Sequence, residues 1–483
     1  MALRYATPVL RELDDDIAHV QAVLDELLRK RKPLCKFINE QNTILAPIRR
    51  LPAEILIEIF MLCMDCDRSS FSPERSPLLV GQVCRGWRQV ALSTQKLWSS
   101  ITVTSYRPSS AKAKLWISRA GSTPLTIRLA SGAPEFCNVE KMHPAIVVLV
   151  QHCDRWRHLD LRIHDLGVPC LSSIKHRLPW LESLQILNCT HNLDIFEVAP
   201  RLRSLILGPH IKLKAPWHQL TELDAHAHGI TECLEILQLV PGLVRCTMRN
   251  SWRSSRTSIL THDIPILTFP RLHFFCILKF HPDEIFKHAQ LPIIHTLHVA
   301  YQDDWRKARN SLKWLSREPF ISSLRSLHTI RKLMIDHLDE LEDSARIVHC
   351  LRALPSLEEL CLRGPGCWVT ADFLHLLTCQ ANIDVLVPGL EVLEITDRYI
   401  PCYESVRMIE SRWGARKDGN GAGSHLKRLR FEISWIKEWL VDADILNRLR
   451  KFRQEGMDIS VVEQGGYYQH DLLGATRGRY VVA

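Results

Sequence analysis

A short phrase that recurs along most of the chain restricts the fold more than any other feature of the sequence. The phrase is Pro-x-Leu-x-x-Leu-x-Leu with apolar substitutions, as in Pro179–Ile186 and Pro200–Leu207. Further copies begin at Pro241, Pro270, Pro292, Pro355 and Pro388, and copies without the proline begin at Trp156, Leu220, Ile330 and Leu426. Each copy ends in alternating apolar and polar residues, which predicts a β-strand.

Helical stretches lie between several copies of the phrase. They are Thr231–Leu239, Ser311–Arg317, Leu341–Leu354 and Ala371–Cys379. A strand and a helix in each unit are typical of leucine-rich repeats, whose single units cannot bury their own leucines. The sequence therefore predicts an α/β fold in which stacked units form a curved solenoid with a parallel sheet on its concave side. An ordinary α/β domain with recurring parallel strands is the alternative.

The stretch Leu51–Trp98 carries more apolar surface than it can bury by itself. Pro52 suits the first turn of a helix, and the helical run Ala53–Met64 contains only two charged residues, Glu54 and Glu58. A second helical pattern and a short third piece follow, with apolar positions Val80, Val83, Cys84, Trp87, Ala91, Leu92, Leu97 and Trp98. Domains of about 60 residues are already marginal, so this shorter stretch is predicted to need a partner.

The segments LPAEILIEIF and VCRGWRQVALSTQKLW resemble the two halves of an F-box, the helical module that attaches substrate receptors to the Skp-family adaptor of SCF-type cullin ubiquitin ligases. The resemblance implies ten core and adaptor-binding positions: Leu51, Pro52, Ile55, Leu56, Ile59, Phe60, Val83, Cys84, Trp87 and Trp98. The long loop Asp65–Pro77 and the helix glycines Gly81 and Gly86 depart from the family pattern. An ordinary buried helical hairpin is the alternative interpretation.

The repeat region resembles the irregular leucine-rich repeats that follow F-boxes, notably in large fungal protein families. We expect an N-terminal coiled-coil helix (1–47), an F-box (48–105), a linker region (106–154), a leucine-rich-repeat-like domain (155–463) and a loosely ordered tail (464–483). Near the end, the pattern predicts a surface loop at Gly414–Gly423, an amphipathic helix from Trp435 through Phe452, and a final strand at Ile459–Val462.

The N-terminal region has the heptad pattern of a coiled coil. Its apolar residues recur alternately four and three positions apart, at Leu13, Ile17, Val20, Leu24 and Leu27. Thr7 can cap the helix with Pro8 in its first turn, and Pro33 stops or kinks it. The helix is predicted either to pair two copies of the chain as a homodimer or to fold back on the F-box, and the basic run Arg29–Lys32 is either a nuclear-import signal or a solvated helix end.

Composition excludes several classes of partner. The 62 basic and 53 acidic residues give a net charge of only +9 over 483 residues, which does not require nucleic acid or an acidic membrane. The longest apolar run, Ala145–Val150, is far shorter than the roughly 20 residues of a membrane span, and the N-terminus lacks a signal-peptide pattern. The 16 scattered cysteines suit reduced thiols in the cytoplasm and/or nucleus.

Candidate substrate-binding residues lie on the strands, at positions that alternate with the leucines. The basic ones are Arg245, Arg249, His298, Lys332, Arg363, Arg428 and Arg430. Because arginine binds carboxylates and phosphates well, one hypothesis is that they bind an acidic or phosphorylated segment of a protein substrate. The other is that they are ordinary solvated strand residues.

Sequence patterns of catalysis are missing. The chain has no phosphate-binding loop, no Gly-x-Ser-x-Gly and no His-Glu-x-x-His. Cys63 and Cys66 have the spacing of a redox or zinc site but lack a second ligand pair, so Cys63 is predicted to be a core residue. We predict no catalytic residue, metal or cofactor, and a non-catalytic substrate receptor of a ubiquitin ligase. The alternatives are a leucine-rich-repeat scaffold outside any ligase, and an enzyme with a dispersed site.

Overall fold

The structure is a computed structural model of the chain. It describes residues 2–45, 47–65, 77–104, 110–130, 139–162, 165–187, 189, 192–251, 265–300, 313–379, 385–418, 426–435, 439, 443–463 and 470–473. The chain divides into two compact units, Met1–Ser99 with Arg119–Gly121, and Ser100–Ser118 with Ser122–Ala483. None of the helices in the described ranges combines the length and the hydropathy that a membrane-spanning segment requires.

The first unit begins with one long helix, α1, over Ala2–Leu45. The predicted start of this helix was wrong, because Thr7 and Pro8 lie inside it. Of the two alternatives for Pro33, a stop or a kink, the structure contradicts the stop, since the helix continues to Leu45. A proline removes one backbone hydrogen bond and can kink a long helix without terminating it. The predicted heptad residues, such as Ile17 and Leu24, are exposed to solvent.

Five shorter helical segments lie in the described residues of the first unit. They are a 3₁₀ helix at Pro47–Arg50, α2 at Ala53–Asp65, α3 at Pro77–Val83, α4 at Arg85–Ser93 and a 3₁₀ helix at Gln95–Trp98. The first 3₁₀ helix precedes α2 in the chain. The predicted single helix through Val83 and Cys84 is two helices. Cys84 has an extended backbone, and its Sγ accepts a hydrogen bond from the Trp87 backbone N–H at 3.4 Å, which caps α4.

The second unit is built on one long sheet whose strands follow the order of the chain. The described strands are β1 Ser100–Thr104, β2 Leu125–Ala130, β3 Trp156–Arg162, β4 Ser183–Leu187, β5 Ser204–Leu207, β6 Glu222–Ala227, β7 Arg245–Asn250, β8 Leu267–Thr268, β9 Phe274–Leu278, β10 Ala289–Gln290, β11 Thr296–Ala300, β12 Lys332–Asp336, β13 Glu359–Arg363, β14 Val392–Asp397, β15 Arg428–Ile433, β16 Asp458–Glu463 and β17 His470–Asp471. Fourteen strands, β1 to β7, β9 and β11 to β16, run parallel, and β17 joins β16 in the antiparallel direction. Strands β8 and β10 pair separately.

Every predicted copy of the phrase ends in one of the parallel strands, β3 to β7, β9 or β11 to β15, so the strand prediction is confirmed. The sheet also extends beyond the predicted repeats. Strand β2 lies in the region 106–154, which we expected to be a linker, yet it pairs with both β1 and β3. The parallel sheet therefore begins at Ser100.

The register of the sheet stacks leucines directly on leucines. Leu333 of β12 is in register with Leu360 of β13, which is in register with Leu393 of β14 and then Leu429 of β15. All four side chains are buried, and burying one leucine contributes roughly 1.5–3 kcal/mol. Such columns explain why no single copy of the phrase needs to form a core alone.

Helices connect many of the strands. They are α5 Ser110–Ala120, α6 Val139–Val150, α7 Ile230–Gln238, α8 Pro282–Phe286, α9 Glu318–Ser326, α10 Leu341–Arg352, α11 Ala371–Leu376, α12 Cys402–Asp418 and α13 Ala443–Gln454, with 3₁₀ helices at Cys153–Arg155, Asp165–Ile174, Trp217–Gln219 and Lys313–Ser316. Helices α7, α10 and α11 match the predicted ones. The remaining predicted helix, Ser311–Arg317, contains the 3₁₀ helix Lys313–Ser316. Its first two residues, 311–312, lie outside the described residues.

The C-terminal part differs from the prediction in three places. Gly414 belongs to α12 instead of a loop, and residues 419–423 lie outside the described residues. Trp435 is exposed and non-helical, and its backbone N–H donates to the Arg398 carbonyl at 2.8 Å, so the predicted helix does not begin there. Trp439 is helical, α13 covers the predicted residues from Ala443 through Phe452, and residues 436–438 and 440–442 lie outside the described residues. Strand β17 lies in the tail that we expected to be loose, and Asp471 anchors it by accepting hydrogen bonds from the Arg453 guanidinium at 2.8 Å and from the Val461 N–H at 3.4 Å. The predicted last strand is confirmed as β16.

Asp397, at the end of β14, is a fully buried carboxyl group. Its oxygens accept hydrogen bonds from the backbone N–H groups of Trp368 at 2.9 Å, Val369 at 2.7 Å and Tyr399 at 3.1 Å. Burial raises the pKa of Asp397 to about 6, although these hydrogen bonds act in the opposite direction. The side chain therefore fixes the segment that leads into α11.

Candidate functional site

The helices of the first unit pack around a small aromatic core. Leu56 and Phe60 of α2 are buried together with Trp98. The Phe60 ring lies 5.0 Å from the Trp87 ring between centroids, and the Trp98 indole N–H donates to the Ala91 carbonyl at 2.8 Å. Because large aromatic side chains dominate the energetics of small cores, these residues position the remaining side chains of the unit.

The ten residues predicted to form the core and adaptor surface fall into three groups. Leu56, Phe60 and Trp98 are buried, Leu51, Ile59, Cys84 and Trp87 are half-buried, and Pro52, Ile55 and Val83 are exposed. The exposed fraction is 48% for Ile55 and 60% for Val83. The first group can only support the surface, whereas the third is free to contact another molecule.

Further exposed apolar residues lie on the same helical segments and were not predicted to bind. They are Ile48, Leu62, Leu78, Leu79 and Leu92. Cys63 is also exposed, so its predicted core position is wrong, and its spacing partner Cys66 lies outside the described residues. The excess of apolar residues in the sequence indicated that a patch would remain, but the side chains in it follow from how α2 and α3 pack.

These helices can be compared with known families. Residues 48–104 match the F-box-like family. The match begins in the 3₁₀ helix Pro47–Arg50, covers α2 to α4 and ends with strand β1. It supports the interpretation of the chain as an F-box protein. F-box domains commonly bind Skp-family adaptors and are typically non-catalytic adaptor modules. No curated protein matches the chain.

The second candidate surface is the side of the sheet that faces away from the leucine columns, here called the polar face. All seven predicted substrate-binding residues lie on it, because each alternates with buried residues on its strand: Arg245, Arg249, His298, Lys332, Arg363, Arg428 and Arg430. The sequence prediction that they share one face of the sheet therefore agrees with the structure.

Most of these basic side chains are paired with an acidic side chain inside the chain. The shortest contacts join Arg249 to Asp224 at 2.8 Å, His298 to Asp336 at 2.7 Å, Lys332 to Glu359 at 2.7 Å, Arg363 to Glu394 at 3.3 Å, Arg428 to Asp458 at 2.8 Å and Arg430 to Glu432 at 2.6 Å. The seventh, Arg245, lies over the Phe274 ring, 4.4 Å from its centroid. The polar face thus alternates positive and negative charge and is not a continuous basic surface.

The acidic partners could have been found from the sequence by aligning the copies of the phrase. Lys332 and Glu359 occupy the same position in successive copies, and the structure pairs them in register on β12 and β13. Arg428 and Asp458 are likewise in register, on β15 and on β16, the strand that follows the last copy. In-register parallel strands place equivalent residues side by side, so opposite charges at equivalent positions predict a cross-strand ion pair.

A cavity of about 270 Å³ opens on the polar face near its C-terminal end. It is lined by Arg363, Glu394, Thr396, Arg430 and Glu432. The Thr396 hydroxyl donates to Glu432 at 3.2 Å. This cavity offers both positive and negative groups to a bound side chain.

A cysteine, a histidine and an aspartate meet in the middle of the polar face. The Cys276 Sγ lies 3.2 Å from His298 Nδ1, and His298 Nε2 lies 2.7 Å from an Asp336 carboxylate oxygen. Burial disfavours the charged imidazole, but its hydrogen bonds to Asp336 and Cys276 outweigh burial and raise the pKa of His298 to about 9. Of this trio, the sequence analysis identified only His298. Among the described residues, no group of three or more His, Cys, Asp or Glu is arranged to hold a metal ion.

Proposed function

We propose that the protein is the substrate-recognition subunit of an SCF-type cullin ubiquitin ligase. The match of residues 48–104 to the F-box-like family is the observation that supports this function most directly. In this proposal the F-box-like domain binds a Skp-family adaptor and through it a cullin, while the sheet unit holds a protein substrate. The receptor makes no bond itself, and it accelerates ubiquitin transfer by raising the local concentration of substrate lysines at the ligase.

The proposed adaptor surface is centred on the exposed side chains Ile55 and Val83. Their apolar atoms gain nothing from solvent, and burying each against an adaptor is worth roughly 1.5–3 kcal/mol. The half-buried residues Leu51, Ile59, Cys84 and Trp87 line the same domain and complete the surface. The buried residues Leu56, Phe60 and Trp98 act by holding the helices in place.

The double variant Ile55→Asp with Val83→Asp tests this surface. Because both side chains are solvent-exposed, the domain should fold, and affinity for a purified Skp-family adaptor should fall by at least about a hundredfold, the equivalent of some 3 kcal/mol. The control is Leu341→Asp, an exposed leucine in the first turn of α10, where an acidic residue is favourable.

Unchanged adaptor affinity in the double variant would contradict the assigned surface. Co-purification of the wild type separates the ligase receptor from the alternative scaffold. A receptor brings down both adaptor and cullin, whereas a scaffold outside the ligase brings down its binding partner without a cullin.

The sheet unit is proposed to be a curved, leucine-rich-repeat-like solenoid. Two observations support this arrangement: the fourteen parallel strands follow chain order, and their leucines stack in register. Repeat proteins share one core among neighbouring units in this way.

The polar face is proposed to bind the substrate through its seven basic residues and their acidic partners. Because the positive side chains are matched by negative ones, a complementary protein segment should carry charges of both signs instead of being purely acidic or phosphorylated. The variant Arg363→Glu with Arg430→Glu reverses both cations of the cavity. Proteins captured by the adaptor-deficient variant and lost after this additional change would be the substrates, and an unchanged set of captured proteins would count against the polar face.

Helix α1 is proposed to pair two copies of the chain. Its core positions continue the heptad pattern in both directions, and all are at least 46% exposed: Leu10, Leu13, Ile17, Val20, Leu24, Leu27, Leu34 and Ile38. In a parallel pair, Arg31 would meet the same arginine of the second copy in the core. An antiparallel pair that sets Ile17 against Leu27 of the second copy instead places Arg31 against Leu13, and it brings Asp16 near Lys30 of the second copy.

A mixture of Ile17→Cys and Leu27→Cys chains, each also carrying Cys35→Ser, tests the pairing. Mild oxidation should cross-link the two different chains in the antiparallel pair, whereas a parallel pair would cross-link Ile17→Cys chains to each other. A monomer by light scattering would exclude both. A fluorescent fusion of the full chain should locate to the cytoplasm and/or nucleus, the compartments proposed from the scattered positions of the cysteines in the sequence.

A further inference from the structure

We propose that His273 and His295 together bind a divalent metal ion that prefers square-planar or octahedral coordination, such as Ni²⁺. The two residues directly precede β9 and β11, which are neighbouring parallel strands. Their Nδ1 atoms lie 2.9 Å apart, and both side chains are exposed to solvent. The assignment does not depend on the proposed function, because the pair uses neither the adaptor surface nor the seven basic residues of the polar face.

The backbone holds the two histidines side by side. The His273 carbonyl accepts hydrogen bonds from the N–H groups of His295 at 3.0 Å and Thr296 at 2.9 Å, and the His295 carbonyl accepts from the N–H groups of Arg331 and Lys332 at 2.9 Å. The two histidines occupy equivalent positions in successive copies of the phrase, 22 residues apart. Stacking of the copies therefore creates the pair, and a bound metal has to order only the two side chains.

The contact between the two rings requires that at least one Nδ1 atom has a free lone pair. Two Nδ1–H groups facing each other at 2.9 Å would both be donors, with no acceptor between them. A neutral imidazole carries only one proton on its two nitrogens. Because the rings are exposed, solvent can move the proton of the donor ring to its Nε2, which frees the second Nδ1 without a change in charge. Both Nδ1 atoms are then available, and imidazole is the commonest metal ligand in proteins.

The distance between the two nitrogens selects the coordination geometry. With metal–nitrogen bonds of about 2.0–2.1 Å, two ligands at 90° are about 2.9 Å apart, and two ligands at the tetrahedral angle are about 3.3 Å apart. The observed 2.9 Å matches the 90° angle. Square-planar nitrogen sites suit Ni²⁺ and Cu²⁺, whereas structural zinc is tetrahedral. Among the described residues no third His, Cys, Asp or Glu joins the pair, so water completes the coordination.

The residues at the equivalent positions on either side of the pair do not oppose a cation. Val244, which precedes β7, is uncharged, and Arg331, which precedes β12, forms an ion pair with Glu358 at 3.5 Å. The two histidine rings are inclined by 33°, with centroids 4.9 Å apart. Since both rings are exposed, rotation about their side-chain torsions can direct both Nδ1 lone pairs to one ion.

A second pair of histidines provides a control with an unsuitable geometry. The rings of His210 and His228 are stacked, with centroids 3.8 Å apart and an angle of 29° between them. Because a nitrogen lone pair lies in the plane of its ring, stacked rings direct their lone pairs side by side instead of toward one ion. His228 Nδ1 is also hydrogen-bonded to the Ser251 hydroxyl. His210 is exposed, so a reagent in solution reaches this pair as well.

The first test measures modification of each histidine of the full chain by diethyl pyrocarbonate at pH 7.5, with and without NiCl₂, by peptide mass spectrometry. At a Ni²⁺ concentration about ten times the dissociation constant found by calorimetry, modification of His273 and His295 should slow about tenfold, because only the unbound fraction reacts. His210 should react at an unchanged rate. Nickel is used because Cu²⁺ oxidises thiols and the chain has 16 cysteines. An unprotected pair, or equal protection of His210, would overturn the proposal.

The second test removes one ligand at a time with His273→Asn and His295→Asn. Each should lower the affinity for Ni²⁺ at least about tenfold by isothermal titration calorimetry, because the second ligand of a chelate binds at high effective concentration. The matched control His210→Asn should leave the affinity unchanged, since asparagine tolerates the positive φ of that residue. Unchanged affinity in both ligand variants would overturn the proposal. If a variant fails to fold, the protection pattern of the wild type decides alone.

Discussion

The two candidate surfaces differ in how much of their binding capacity is already used within the chain. The F-box-like domain leaves Ile55 and Val83 facing water, where another molecule can cover them. The polar face of the sheet instead pairs Arg249, Lys332 and Arg363 with acidic residues of neighbouring strands. An apolar patch gains affinity by burial, whereas a charge-paired surface gains selectivity because a partner must replace the ion pairs that it breaks.

This difference suggests a division of labour between the two units. An adaptor that binds many receptors suits a surface whose affinity comes from the burial of apolar side chains, because such burial does not depend on a particular pattern of charges. A substrate must be distinguished from other proteins, and alternating charges penalise a partner whose charges are out of register. Three measurements of stability compare buried with exposed groups in the two units.

The largest effect is expected where the apolar patch meets its core. Phe60→Ala should destabilise the F-box-like domain by about 3–5 kcal/mol because it removes a fully buried ring. Ile55→Ala, one turn earlier and exposed, should change its stability by less than about 0.5 kcal/mol. Hydrogen exchange of peptides covering α2 and α4 measures both changes, since a two-unit chain need not unfold in one transition. Equal protection in the two variants would contradict the division between core and surface.

An intermediate effect on stability is expected from Asp397, a carboxyl group that is buried in the sheet unit. Its pKa in the folded chain, about 6, lies above its usual 3.8, so the folded state binds the proton more tightly. This contribution to stability is complete below pH 3.8 and is lost as the pH rises through 6. Relative to Asp397→Asn, the wild type should lose about 2.4 kcal/mol between pH 4 and pH 7. Urea denaturation at the two pH values measures the difference, and the subtraction removes the titration of other groups.

The smallest effect is expected from an ion pair of the polar face. Lys332 and Glu359 are each more than a third exposed, so solvent screens their attraction. A double-mutant cycle with Lys332→Gln and Glu359→Gln should give a coupling energy below about 1 kcal/mol, which decreases further in 1 M salt. A coupling of several kcal/mol would mean that the polar face is a structural element and would weaken its assignment to substrate binding.

The sequence predicted most where a pattern repeats. The leucines of each phrase identified the strands β3 to β7, β9 and β11 to β15, because alternation over a few residues reports burial directly. The same pattern did not identify β2, which lies outside the repeated phrase. Contacts across strands were harder to predict, since Asp224 and Arg249 are distant in the sequence and meet only through the register. An alignment of successive copies of the phrase gives that register. Lys332 and Glu359, for example, occupy equivalent positions in two copies and are paired across β12 and β13.

Within the F-box-like domain, local geometry limited the prediction. The composition indicated an apolar surface in excess of the core, but it did not indicate that Cys84 would end one helix and cap the next. That break determines the direction in which Val83 points relative to Trp87. Cys63 illustrates the same limit, because an apolar helix face can be predicted from spacing, whereas its burial depends on whether a neighbouring element covers it.

Strand β17 has a consequence for how the chain should be handled. A parallel sheet ends in a strand whose backbone N–H and C=O groups can recruit a strand from any other chain. By running back along Val462 and Glu463, β17 occupies part of that last edge. A protein shortened to end at Glu463 would keep its leucine columns and yet expose this edge, and we expect it to aggregate at concentrations at which the full chain stays dispersed.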